Sequence, residues 1–136
     1  MMISTKGRYA LRVMVCLAEE NTDNYIPLKP IAEKEGISIK YLESIMTLLS
    51  KNGLVDSVHG KGGGYKLNRK PSEYTVGELL RTTEGSLAPI SCVDEGVQHC
   101  KKACECKTLP VWDKLNNIIN EYLDSVTLED LVTQQA

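Results

Sequence analysis

The chain of 136 residues has no phenylalanine and a single tryptophan. Its core must therefore be mostly aliphatic, and a hydrophobic share of 42% is enough to build one. No apolar run is long enough to span a membrane. Polar and basic residues between Ser4 and Arg12 break up the apolar region that a secretory leader needs. These absences point to a cytoplasmic protein without a membrane partner. The two histidines, His59 and His99, belong to no set of nucleophile, base and orienting group, so the sequence offers nothing for an enzyme. The Gly62–Gly64 run lacks the Gly-Lys-Ser/Thr ending and the following helix that a phosphate-cradling loop requires.

Five cysteines are present, and four of them fall between Ser91 and Lys107 in "SCVDEGVQHCKKACECK". In a reducing compartment, crowded thiols bind metal, react or sense more often than they form structural disulfides. Paired C-x2-C knuckles, the usual mark of structural zinc, are absent. Four soft thiolates suit an iron–sulfur cluster, and a metal-free thiol switch stays open beside it. Lys101, Lys102 and Lys107 would ease the charge of nearby thiolates. Cys16 stands apart, at a core position of the first helical pattern.

The net charge of −2 hides an asymmetry: residues 1–71 carry 11 Lys/Arg against 7 Asp/Glu, and residues 72–136 carry 5 against 11. The basic half can approach a polyanion, and the acidic half would not. The hydrophobic pattern predicts a first helix with Ala10, Val13, Met14, Leu17 and Ala18 on one face. A two-turn helix follows, with Pro30 in its first turn and Gly36 as its stop. Ser38 caps the next helix, which buries Leu42, Ile45, Met46 and Leu49 and ends at Gly53. Lys40, Tyr41, Glu43, Ser44 and Thr47 lie mainly off that stripe. "LVDSVHGKGGGYKLN" then reads as a hairpin, with Lys61 near its tip and Tyr65 opening the return strand.

A helix-turn-helix followed at once by a basic hairpin is a winged helix, which places a helix in a major groove and a wing on phosphate or the minor groove. The expected fold is mainly α with one small β-hairpin. Its regions are a winged helix-turn-helix DNA-binding part (1–71), a connecting helix with a cysteine-rich loop (72–109), and a dimerisation helix with a tail (110–136). A capping box is expected from Thr75 to Glu78. Trp112, Leu115, Ile118, Ile119, Tyr122 and Leu123 form one apolar stripe, read as a dimer seam. A two-fold homodimer would present paired reading helices to palindromic double-stranded DNA.

"STKGRYAL", "IAEKEGIS", "YLE", "NGLVDSVHGKGGGY" and the cysteine loop before Trp112 resemble the Rrf-type winged-helix regulators, whose branches are typified by IscR, NsrR and CymR. The resemblance covers nearly the whole chain. It implies a homodimeric bacterial transcription factor, acting as a repressor, and in the cysteine-bearing branch an iron–sulfur cluster, of 2Fe–2S type. Its three-cysteine pattern falls on Cys92, Cys100 and Cys106. The IscR-type fourth ligand, a histidine, is replaced here by Leu109, and the NsrR-type acidic ligand by Arg8. Cys104 is the natural substitute, with His99 behind it. The resemblance further implies Glu43 as a base reader that accepts from a cytosine amino group, with Ser38, Lys40, Tyr41 and Ser44 around it. Thr5, Lys6, Arg8 and Tyr9 would grip phosphate, and His59, Lys61, Gly63 and Tyr65 would form the wing's contact. His59 replaces the family's usual arginine, which puts the operator preference in doubt. The alternative implied by the CymR branch is a metal-free or partner-controlled regulator of cysteine metabolism.

Overall fold

The computed structural model describes residues 3–20, 22–94 and 106–136. Its helices are α1 (Thr5–Glu20), α2 (Leu28–Glu35), α3 (Ile39–Lys51), α4 (Val76–Glu84), α5 (Leu109–Ser125) and α6 (Leu128–Val132). Strands β1 (Val55–Val58) and β2 (Gly64–Leu67) form the hairpin between α3 and α4. The result is the expected mainly helical fold with one antiparallel wing.

Local chemistry accounts for the element ends. Gly36 stops α2 in the left-handed region at φ +67°, and its N–H bonds the Ala32 carbonyl. Ser38 then caps α3 by accepting from the Tyr41 N–H at 3.2 Å. In the wing, Val55 faces Leu67 and Val58 faces Gly64. Ile26 lies along the far side of β2. Its N–H donates to the Tyr65 carbonyl at 2.8 Å, and the Tyr65 N–H donates to the Ile26 carbonyl at 2.9 Å. A Cβ at Gly64 would run into the Ile26 carbonyl, so this approach needs glycine there.

The main core joins α1, α2, α3, β1 and α4. Val13, Met14, Leu42, Ile45, Met46 and Leu49 are wholly buried in it, each contributing roughly 2 kcal/mol of hydrophobic stabilisation. Tyr74, also wholly buried, braces the base of the wing. Its hydroxyl accepts the Asn68 N–H at 3.0 Å and points its proton toward the Leu54 carbonyl at 2.8 Å. Burial raises the Tyr74 pKa, so the hydroxyl keeps the proton that this bond uses.

The structure corrects the sequence reading at three places. First, the Thr75–Glu78 capping box is only half formed. Thr75 Oγ1 accepts from the Glu78 N–H at 3.0 Å, but the Glu78 carboxylate turns to Arg69, at 2.8 and 3.0 Å. A forked, charge-assisted pair outcompetes a single backbone donor. Second, the stretch read as a tail contains α6, which opens with a complete capping box between Thr127 and Asp130. The Leu128 N–H bonds the Tyr74 carbonyl at 3.0 Å, and the Leu128 side chain is wholly buried in the main core. Third, the apolar stripe of α5 divides. Ile119 and Leu123 pack on Val76, Leu80, Leu87 and Val126 of the same chain. Val111, Leu115, Ile118 and Tyr122 face outward, from 38% to 59% exposed.

Candidate nucleic-acid interface and cysteine loop

Helix α1 has no acidic residue of its own in its first turn, and the carboxylate at its N-terminus comes from Glu84 of α4, which accepts from Ser4. Thr5 and Arg8 are exposed, and the Arg8 guanidinium donates to Thr5 Oγ1 at 3.2 Å. Lys6 and Tyr9 are half-buried. The Tyr9 ring meets the Tyr41 ring edge-on at 6.1 Å. The start of α1 is thereby fixed against the start of α3, which sets the phosphate-binding candidates beside the reading helix.

On α3 the candidates differ in how free they are. Ser38 is exposed, but its hydroxyl oxygen is engaged as the helix cap. The Ser44 hydroxyl donates back to the Tyr41 carbonyl at 2.6 Å, and that of Thr47 to the Glu43 carbonyl at 2.8 Å. Lys40 and Glu43 are exposed and project from the same open face. Tyr41 is half-buried against Tyr9. In the wing, His59 and Lys61 are exposed at the tip, and Gly63 closes the turn by donating to the Gly60 carbonyl at 3.0 Å. Tyr65 is half-buried against the core, and both its backbone groups bond Ile26.

Sequence reasoning missed the residues that hold the turn of the helix-turn-helix. Arg12 lies over the Tyr9 ring at 5.4 Å and binds Glu35, at the end of α2, at 2.6 Å. Glu35 also receives the Cys16 thiol at 3.3 Å. The only available signal was the position of Arg12, one turn beyond Tyr9 on the open side of α1.

Of the loop thiols, Cys92 and Cys106 lie within the described residues, whereas Cys100, Cys104 and His99 lie outside them. Cys92 is half-buried in a short 3₁₀ turn, Ser91–Val93. That turn is tied to the end of α4 by Ser86 donating to Asp94 at 2.7 Å, and to α5 by Asn116 Nδ2 donating to the Val93 carbonyl at 3.5 Å. Cys106 is exposed just before α5. Thr108, whose hydroxyl lies 3.3 Å from the Cys106 sulfur, draws the thiol pKa below its usual value, as do backbone N–H donors at Thr108 and Leu109. This is the thiolate-favouring environment that a metal ligand needs. No group of three metal-binding side chains comes together among the described residues.

The sequence profile of Rrf2, described as an iron-dependent transcriptional regulator, matches residues 3–134. The chain belongs to the Rrf2 family. Relatives include the HTH-type transcriptional regulators IscR of Photorhabdus laumondii and of Yersinia pestis. Each is 38% identical over 135 residues, which is 99% of this chain and 81% of the relative. Among solved structures, CymR, the global cysteine regulator of B. subtilis, is 34% identical with a TM-score of 0.80 and covers 100% of this chain and 99% of its own. IscR of T. potens is 36% identical with a TM-score of 0.77, covering 100% and 89%. An oxidised form of Staphylococcus aureus CymR is 34% identical with a TM-score of 0.74, covering 97% and 96%.

As an Rrf2 protein the chain is a DNA-binding transcriptional regulator and not an enzyme. That agrees with the exposure of Lys40 and Glu43 on α3 and of His59 and Lys61 at the wing tip. No described helix is long and apolar enough to cross a membrane.

Proposed function

We propose that the protein is a dimeric cytoplasmic repressor of a palindromic operator, governed by an iron–sulfur cluster on Cys92, Cys100, Cys104 and Cys106. The observation that carries this reading is the cysteine loop itself. Its two described thiols sit at the ends of the segment that leaves α4 and enters α5. Thiolates are the donors such a cluster prefers, and when bound it supplies a centre sensitive to redox state and nitric oxide. Cys104 takes the fourth place because Leu109 and Arg8 offer no suitable donor.

The chain's own residues supply the coupling. The Cys92 turn is bonded through Asp94 to Ser86, just past α4, and through Val93 to Asn116, midway along α5. Arg81 of α4 bonds Asp124 at 2.7 Å and Asn120 at 2.7 Å on α5. Holding Cys92 and Cys106 together would therefore fix α5 relative to α4, and α4 abuts α1 and the reading helix α3. Val111, Leu115, Ile118 and Tyr122 repeat at intervals of four, three and four residues, the spacing of a helix seam. A second copy is the occupant that such a stripe suits, and it would pair the two reading helices.

Gel-shift titration of anaerobically reconstituted protein tests the whole reading. Binding to duplex DNA should weaken steeply with salt as phosphate contacts release counterions. Lys6→Ala should weaken binding to all sequences alike, whereas Glu43→Ala should change base preference. Binding that ignores salt would refute the DNA-contact assignment. The likeness to CymR structures, an oxidised form among them, supports a second reading as a metal-free thiol switch. Protein that takes up no iron or sulfide, yet changes DNA affinity on thiol oxidation, would establish that alternative.

A further inference from the structure

Ile39 is the first residue of α3 and is 44% exposed. Lone exposed aliphatic side chains are ordinary on protein surfaces, so exposure alone carries nothing. Its position does. It follows the Ser38 cap directly, and the N-terminal residues of a reading helix are the ones that meet base edges. It also stands four residues before Glu43, on the same ridge of the helix. The neighbouring candidate donors are partly engaged elsewhere: Ser38 caps the helix, and the Ser44 hydroxyl bonds back to the Tyr41 carbonyl. An aliphatic side chain beside an exposed carboxylate gains nothing from water and has no hydrogen-bonding capacity. The one apolar group presented in the major groove is the 5-methyl of thymine.

We infer that Ile39 is a specificity-determining residue that packs on a thymine methyl close to the base pair read by Glu43. One helical turn advances 5.4 Å along α3, and base pairs are spaced about 3.4 Å apart. The thymine therefore lies one to two pairs from the Glu43 contact. This inference rests on the DNA-binding reading of α3 and adds a base identity to it.

Uracil substitution tests it, because uracil differs from thymine only by that methyl. A duplex is selected from a random pool by the wild-type protein, and each thymine is replaced in turn, symmetrically in both half-sites. Binding is followed by fluorescence anisotropy. At one position the swap should weaken the wild type by about fifteenfold, or roughly fourfold for each buried methyl. Ile39→Ala should bind the thymine duplex correspondingly less well and be indifferent to the swap there, with an unchanged melting temperature. Ile39→Leu should keep part of the thymine preference. A wild type insensitive to uracil at every position overturns the inference while leaving DNA binding intact. So does an Ile39→Ala variant that stays as sensitive as the wild type. A wild type that selects no duplex at all overturns it together with the reading beneath it.

Discussion

Glu84 accepts two hydrogen bonds from one residue, Ser4: the backbone N–H at 2.9 Å and the hydroxyl at 2.5 Å. Ser4 Oγ in turn accepts the Gly7 N–H at 3.1 Å, so the carboxylate at the end of α4 fixes the cap of α1. Gly7 lies beneath it, where a Cβ would collide with that carboxylate.

Removing the carboxylate should therefore be felt at the reading face although it lies outside it. Glu84→Ala is expected to cost about 2 kcal/mol, as two charge-assisted bonds to a half-buried site are lost. Thermal melting should fall by several degrees. Glu84→Gln keeps an acceptor and should lose less. An Ala variant that melts with the wild type would mean that Ser4 is capped equally well by water.

The two faces of α5 give opposite outcomes. Ile118→Glu puts a charge on the outward stripe and should convert dimer to monomer in sedimentation without unfolding the chain. Ile119→Glu places it among Val76, Leu80 and Leu87, and should lower stability by several kcal/mol. If Ile118→Glu sediments as a dimer, the seam lies elsewhere.

For the cysteine loop, Cys92→Ala, Cys100→Ala and Cys106→Ala should each abolish the visible absorption of anaerobically prepared protein. Cys104→Ala should leave none, or a labile and spectrally altered chromophore. An unchanged spectrum and lifetime after Cys104→Ala would move the fourth ligand to His99 or outside the loop.

Cys16 supplies a pH test. Burial, followed by its bond to Glu35, raises its pKa to about 11 from 9.0. The folded state thus holds this proton more tightly than the unfolded chain. The linked stability is fully present below pH 9 and is lost as pH climbs from 9 to about 11, amounting to at most about 3 kcal/mol. Subtracting the alkaline unfolding curve of Cys16→Ala from that of the wild type should show a difference that is constant below pH 9 and declines across that window. Parallel curves would mean that the thiol is not protected as described.

The helix-turn-helix was legible because its signals are local. Gly36, Ser38 and Gly53 are each read from neighbours within one turn. The division of the α5 stripe was not legible, because Ile118 and Ile119 are adjacent, equally apolar residues. Only the placement of Leu80, Leu87 and Val126 decides which of them turns inward. Likewise Thr75-x-x-Glu78 had the letters of a capping box, but Arg69 claimed the carboxylate from nine residues away. Helix α6 was missed because five residues are too few to show a period. Among the site candidates, the sequence pointed to Glu43 and Lys40 through their places off the buried stripe. It gave no sign that both Tyr65 backbone groups would be bonded, since that depends on Ile26 reaching β2 across the fold.

The Ile26 strap along β2 has a consequence for colloidal behaviour. A hairpin with two open edges is a template for strand-to-strand polymerisation. Here Ile26 covers one edge, and the other is the four-residue β1, with the exposed charge of Asp56 inside it. A short, acidic edge recruits poorly, so a chain that exposes a glycine-rich wing to solvent is guarded against stacking with its own copies. Neutralising Asp56 with a β-branched residue would lengthen the apolar edge toward Val58, itself 43% exposed, and turn the wing into an aggregation seed.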